Sequence, residues 1–310
     1  MASDPPLVSI GMPLYNEEQY LRTSLDSLLR QDYPNLELVI SDNASTDSTE
    51  TICREYGKRD RRIRYHRQAC NRGGAWNFNE AFHLSRGSYF MWAAGHDCWE
   101  PKFLSTCLGA LEREPAAVLS YPRSRLIDPN GNEIERTSSY IDTRHMGIVA
   151  RFNLAVWWLV NPQAIYGLMR ADALRKTRLA QPVFAADQVL LAELSLLGPF
   201  VHVPETLFYP REQRETSRGR ALTRSDIRGQ LARLSPSGAA QGAACYRLRH
   251  FYEALRGAVH AKVRWAVKPI LIGSVVAAYC GGWYKYIPSA IRRPIRNRFR
   301  SKSGIVEGRA

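Results

Sequence analysis

The chain of 310 residues has no G-x-G-x-x-G after its first strand-like run and no G-x-x-x-x-G-K-[ST] anywhere. These absences argue against a dinucleotide-binding Rossmann domain and a P-loop NTPase. The six cysteines (Cys53, Cys70, Cys98, Cys107, Cys245, Cys280) lack any C-x-x-C or zinc-finger spacing, so they read as reduced thiols of a cytosolic protein. The start, MASDPPLVSIG, has no basic stretch leading into a long apolar one, so a secretory signal is not expected there. No repeat of fixed period occurs. The longest charge-free C-terminal run, Pro269–Tyr284, has 16 residues and ends beside Gly281-Gly282; a membrane-spanning helix needs about 20.

Acidic residues are also scarce, and unevenly so. Lys and Arg number 43 against 29 Asp and Glu, a formal charge of +14. Residues 261–310 hold 11 Lys or Arg and one acid, Glu307, so the tail alone supplies +10. A nucleic-acid binder more often carries such charge on its folded body. Ile291, Ile295 and Phe299 recur at a spacing of four among the arginines of 287–300, one apolar face on a basic helix suited to an anionic membrane surface. The rival reading is a helical appendage packed on the main domain with its basic face in water.

What is present is an alternation of short apolar runs and amphipathic segments. LVSIGM (Leu7–Met12), LELVI (Leu36–Ile40), IRYH (Ile63–His66), the run Ser88–Ala94 and AVLSY (Ala117–Tyr121) read as strands. Helices are expected between them. Leu21, Leu25, Leu28 and Leu29 share one helical face after an Asn16 cap with Gln19 as its capping-box partner, and Asp47 with Glu50 can cap the next helix. Ala75–Leu84 and a segment from Pro101 complete the series. This order predicts an α/β fold with a mostly parallel sheet covered on both faces. Ligands then bind beyond the carboxyl ends of the strands. Four polar clusters fall there: Tyr15-Asn16-Glu17, Asp42-Asn43, Asn71-Arg72 and His96-Asp97.

The blocks VSIGMPLYNEEQYL, VISDNASTDST and NRGGAWNFNEAF, with the strand ending at His96-Asp97, resemble the family 2 glycosyltransferases across roughly residues 7–215. The resemblance implies a GT-A fold and inverting transfer from a nucleotide-diphosphate sugar, with UDP the expected nucleotide. It implies a catalytic domain over 1–220 and leaves 221–310 as a helical, basic C-terminal appendage. By the same resemblance Asp42 contacts the nucleotide base, Pro13, Tyr15 and Glu17 line the nucleoside pocket, and Arg72 lies near base or phosphates. A solvated turn arginine is the plainer reading of Arg72.

The family's acidic metal motif is altered here. Its last Asp stands four positions before a proline, which makes Asp97 that residue relative to Pro101, with His96 and Ala94 at the other acidic positions. The resemblance therefore implies Asp97, with or without His96, as ligand of a divalent metal (Mn2+ or Mg2+), with waters and the donor diphosphate completing the shell. An imidazole shifts preference toward Mn2+. Asp187, in FAADQ, matches the general base; a helix N-cap is its plainer role. Arg211, Arg214, Arg218 and Arg220 cluster in a segment expected near the diphosphate. Trp157-Trp158 offers flat faces to an acceptor sugar or to the core.

Together these imply an enzyme of polysaccharide or glycoconjugate assembly. Its partners would be a nucleotide-sugar donor and a sugar or lipid-linked acceptor, without nucleic acid. Its expected place is the cytoplasm, peripheral at the inner face of the membrane. Two rivals remain: a nucleotide-sugar-binding protein without catalysis, motivated by Ala94, His96 and Ala186, and a basic membrane or nucleic-acid adaptor, motivated by the tail.

Overall fold

The structure is a computed structural model that describes residues 4–135, 139–157, 161–212, 229, 232–234, 246–280 and 306–307. The first half alternates strictly: β1 (Val8–Leu14), α1 (Leu21–Leu29), β2 (Leu36–Asp42), α2 (Thr49–Arg59), β3 (Ile63–Arg67), α3 (Gly74–His83) and β4 (Tyr89–Trp92). The short β5 (Cys98–Trp99), α4 (Phe103–Arg113), β6 (Leu119–Ser124), β7 (Ser139–Tyr140) and α5 (Ile148–Val156) follow. A 3-10 turn (Pro162–Tyr166) leads to β8 (Leu168–Arg170), α6 (Ala171–Leu174), α7 (Ala186–Leu197) and β9 (Phe200–Tyr209). Helices α8 (Tyr246–His260) and α9 (Lys268–Cys280) come next, and a two-residue strand β10 (Val306–Glu307) pairs with β7.

The main sheet has the order β3-β2-β1-β4-β8-β6-β9-β5. Its first four strands are parallel, and antiparallel pairs enter only from β8 onward. Alternate residues of one strand serve opposite faces. Val8, Ile10, Met12 and Leu14 of β1 enter the core shared with α1, α2 and α4. On β4, Met91 faces that core while Phe90 and Trp92 face a second one built with α5, α7, α8 and α9. Of the predicted stripe of α1, Leu21, Leu25 and Leu28 are at most 1% exposed and Leu29 is half-buried against the same core. Burying each of the first three stabilises the fold by about 1.5–3 kcal/mol.

Several local expectations are corrected. Asn16 does not cap α1, which begins at Leu21 without a side-chain cap. It adopts a left-handed φ of 55°, and its Oδ1 accepts the Thr46 N–H at 2.8 Å. It therefore ties the loop after β1 to the loop after β2. Asp47 does take a first-turn amide of α2, that of Thr49 at 3.0 Å. Glu50 pairs with Arg54 and Arg67 instead of the backbone.

The described part of the C-terminal appendage is built into the second core. Ala254 and Ala258 of α8 and Leu271 and Val275 of α9 are buried there. Arg178 is the rivet: its backbone N–H and Nε reach Glu193 of α7 at 2.8 and 2.7 Å, and its Nη1 pairs with Glu253 of α8. No helix among the described residues is long and apolar enough to cross a membrane. The basic face expected over 287–300 lies outside the described residues, as do Trp158, Arg214, Arg218 and Arg220.

Candidate active site

Because β3, β2, β1 and β4 are parallel neighbours, their carboxyl ends share one edge. Leu14 stands opposite Asp42, and Asp42 opposite Arg67. The four polar clusters read from the sequence therefore meet along this edge. Asp42 is fully buried. Its Oδ1 accepts the Ser45 N–H and hydroxyl at 2.9 and 2.6 Å, and its Oδ2 accepts the Tyr65 hydroxyl at 2.7 Å. In this conformation Asp42 fixes the floor of the edge. Asn43 joins the loop after β3 by accepting the Arg72 N–H and donating to Asn71, both at 2.9 Å. Above them Tyr15 is 46% exposed, and the exposed Arg72 guanidinium lies 3.9 Å from the Trp76 ring centre. Pro13 is half-buried at the end of β1.

Beyond β4 the chain turns at Gly95. A Cβ there would sit 2.7 Å from Leu14 Cδ2 and 3.0 Å from Glu17 Cβ, so only glycine admits the approach that sets His96 against Glu17. His96 Nδ1 is 3.0 Å from Glu17 Oε2, and His96 Nε2 is 3.7 Å from Asp97 Oδ1. Asp97 is 3% exposed. Burial is the main cause that pushes its carboxyl up to about 6, against the charges of His96 and Arg211 and the Arg211 amide. Burial pulls the His96 imidazole down, but the Glu17 hydrogen bond and the Asp97 and Glu17 charges leave it above its usual value. The pair thus draws positive charge.

Arg211 clamps this corner. Its amide donates to Asp97 Oδ1 at 2.8 Å and its Nε to the His96 carbonyl at 3.0 Å. Its guanidinium stacks 4.5 Å over the Tyr20 ring. Ser24 Oγ donates to the Asp97 carbonyl at 2.6 Å from the other side. No group of three or more His, Cys, Asp or Glu among the described residues is arranged to hold a metal alone. The donor chemistry nevertheless suits a cation that arrives with further ligands. Asp97 Oδ2 has no hydrogen bond among the described residues, and Glu17 holds one imidazole nitrogen while the other faces Asp97, the usual arrangement of a ligating histidine.

Asp187 stands on α7. It lies in the first turn of α7 rather than before it; the N-cap is Ala185, at a left-handed φ of 55°. The plain N-cap reading of Asp187 is therefore replaced by a first-turn position. Burial pushes its carboxyl above the usual range, offset by the amides of Gln188 and Asp187 itself. Asp187 lines a cavity of about 690 Å³ with Phe78, Trp92, Gln163, Tyr166 and Gln188. Tyr166 links it to the other corner. Burial raises the Tyr166 hydroxyl, and the charges of Asp97, Asp187 and Glu17 all add to this. One phenol thus lies within electrostatic reach of both carboxylate centres. Tyr166 packs between the two cores, its ring 5.6 Å from that of Phe208.

Sequence reasoning missed Tyr166, Gln163 and Gln188, since a 3-10 turn and a helix start carry no motif of their own. It placed Arg211 only within a basic cluster, because the role of that residue rests on a backbone amide contact across 114 positions. Trp157 is 37% exposed at the end of α5 and is absent from the cavity wall.

Comparison with known proteins adds context. The chain is 32% identical over 130 residues to an uncharacterized glycosyltransferase of Rickettsia typhi, a match covering 42% of this chain and 40% of that protein. It is 30% identical over 198 residues to a chondroitin synthase of Escherichia coli, covering 64% of this chain and 28% of that protein. The chain thus spans less than half the length of either relative.

Among solved structures, S. aureus TarS 1–349 in complex with UDP superposes with a TM-score of 0.61 at 14% identity, covering 93% of this chain and 77% of that one. A mannosyltransferase of Pyrobaculum calidifontis in complex with GDP-Man and Mn2+ gives 0.53 at 18%, covering 96% and 81%. At such identities the likeness is one of fold, the GT-A fold. The model of the family described as Glycosyl transferase family 2 matches residues 9–176, more than half of the chain, and with the polar sheet edge it places the chain in that family.

Proposed function

We propose that the chain is an inverting glycosyltransferase that moves a sugar from a nucleotide-diphosphate sugar, with UDP the favoured nucleotide, to an acceptor hydroxyl during glycan assembly. One observation carries the reading: the carboxyl ends of four parallel strands gather Asp42, the loop of Asn71 and Arg72, and the corner of Glu17, His96 and Asp97 along one edge of the sheet.

In this reading the nucleoside lies along the strand ends over Pro13, Tyr15 and Glu17. Asp42 shapes its seat through Ser45 and Tyr65, and Arg72 stands over the phosphates. Asp97, with His96 through Nε2, would hold the divalent cation, which neutralises charge on the departing diphosphate. Asp187 takes the proton of the acceptor hydroxyl as that oxygen bonds to the anomeric carbon. The bond from that carbon to the diphosphate breaks on the opposite face, so configuration inverts. The raised proton affinity of Asp187 suits a base. The basic tail, including 287–300, is proposed to rest on an anionic membrane surface where a lipid-linked acceptor would be presented.

The test is release of UDP or GDP from a panel of nucleotide sugars, with Mn2+, Mg2+ or chelator, by wild type and Asp97→Ala. Release from one donor that needs the cation and is lost in the variant supports the reading and names the sugar. Binding of nucleotide without turnover on any acceptor would instead mark an inactive binder. Absence of nucleotide binding would remove the reading altogether. Co-sedimentation with vesicles containing anionic lipid tests the tail; equal recovery with neutral and anionic vesicles would refute the membrane role.

A further inference from the structure

Helix α7 carries Asp187 in its first turn, and the start of that helix is held by an element beyond the residues that the family model matches. Its N-cap is Ala185, at φ 55° and ψ 46°, an alanine with no polar side chain to cap the helix. A residue with a Cβ keeps this left-handed conformation only where its surroundings impose it. Two groups do so here. The Ala185 carbonyl accepts the Gln188 N–H at 3.1 Å, which closes the first turn of α7. The buried imidazole of His250, on α8, also bonds the Ala185 backbone. That bond favours the protonated ring, so the ring N–H donates and the carbonyl accepts.

The sequence of α8 permits this approach. Glu253, Ala254 and Gly257 follow His250 by three, four and seven positions and so share its helical face. Ala254 is buried in the second core, and a Cβ on Gly257 would stand 3.3 Å from Glu193 Cγ of α7. Small side chains thus let α8 lie close along α7. Arg178 joins the two helices through Glu193 and Glu253. On its other side the His250 ring meets Tyr279 of α9, with ring centres 5.5 Å apart.

Resting on the glycosyltransferase reading above, we infer that His250 is a positioning residue: by holding the Ala185 carbonyl it fixes the left-handed N-cap of α7, and with it the place of Asp187 two residues on. Its effect passes through the backbone, so it needs no contact with donor or acceptor. A misplacement of about 1 Å at a reacting group costs up to about 100-fold in rate, while the fold loses a single hydrogen bond. The C-terminal helices thereby complete the active site.

Slow transfer to water needs no known acceptor, and in it Asp187 would take the proton of the attacking water. Nucleotide release by the full chain from its preferred nucleotide sugar is compared for the wild type, His250→Phe and His250→Gln. Phenylalanine keeps a ring against Tyr279 without the donor; glutamine keeps a donor. His250→Phe should lower kcat about 10–100-fold with the donor KM unchanged, and His250→Gln should recover most of the loss. In parallel the Asp187 carboxyl, 13C-labelled and assigned by its loss in Asp187→Asn, is titrated by NMR without metal. Burial raises this carboxyl in the wild type. Its displacement in His250→Phe should return it toward the ordinary carboxylate range, whereas His250→Gln should keep it raised. A folded His250→Phe with the kcat of the wild type, a donor KM that rises as kcat falls, His250→Gln no better than His250→Phe, or an Asp187 titration alike in all three would each overturn the inference. Thermal melting confirms folding. If His250→Phe does not fold, His250→Met, of glutamine's length without its donor, takes its place. A wild type that releases no nucleotide from any donor removes the reading beneath. The titration needs no turnover and still decides whether His250 places Asp187.

Discussion

Asp187 and Gly95 make the clearest claims at the scale of single residues. If Asp187 is the base, Asp187→Asn should lower kcat by about 10²–10⁴-fold with UDP affinity unchanged, as measured by steady-state kinetics beside calorimetry. The sign of the pH effect follows from burial, which raises this carboxyl. The base works only when deprotonated, so kcat/KM should fall as pH drops through a value above the ordinary carboxylate range. An acid limb at the ordinary value would separate the residue from the chemistry. Gly95→Ala places a methyl within 2.7 Å of Leu14 Cδ2 and about as close to Glu17. It should push His96 off Glu17 and weaken donor binding about tenfold, a loss of about 1.4 kcal/mol, read by calorimetry with a UDP-sugar. The sequence showed His96-Asp97 as an odd motif at a strand end; that Glu17 holds the imidazole required the β1 loop to fold back over 79 positions.

At the scale of elements, the parallel half-sheet was legible because its strands are apolar runs and its helices carry one apolar stripe each. The second half was less so. Its strands β5 and β8 have two and three residues, too few for periodicity to register, and its antiparallel pairings join distant segments. The junction of α7 and α8 was invisible, since Arg178, Glu193 and Glu253 share no spacing. Removing one partner of a largely buried ion pair leaves the other charges uncompensated. Arg178→Ala should therefore cost about 2–4 kcal/mol, somewhat below the fully buried case because these side chains keep some exposure. Urea denaturation measures it; a change below about 0.5 kcal/mol, the range of ordinary surface substitutions, would show that the triad does not join the helices.

On the scale of the whole molecule, the C-terminal helices matter to the site. His250 of α8 is buried and hydrogen-bonds the Ala185 backbone, two residues before Asp187. Deleting 261–310 would remove more than the basic charge, because Leu271 and Val275 belong to the second core. Truncation after Cys280 should keep the melting temperature, whereas truncation after His260 should lower it by several degrees, as expected for lost core burial. Equal melting temperatures would mean that α9 is not integral.

Acid should also loosen the fold through two histidines. Burial is the main cause that pulls both His202 and His250 down to about 4, with the Arg123 charge adding to it at His202 and the Ala185 bond opposing it at His250. In each, the unfolded imidazole binds a proton first, so this stability is present above about pH 6.5 and declines as pH falls from there toward 4. His202→Phe, which retains the stack on Tyr140 seen at 4.7 Å, should make melting less sensitive to pH in that window. An unchanged pH slope would refute the buried neutral imidazole.

The amino-acid order by itself determined the alternating strands and helices, the edge where polar loops collect, and the family, because these rest on local periodicity and on motifs a few residues long. Only the tertiary structure decided which side chains meet there. Glu17 turned against His96, the Arg211 amide caught Asp97, Tyr166 packed against both cores, and Asp187 came to line a cavity with Phe78 and Trp92. Each of these depends on contacts between segments far apart in the chain, fixed by how helices pack on a twisted sheet, and no local pattern encodes such distances.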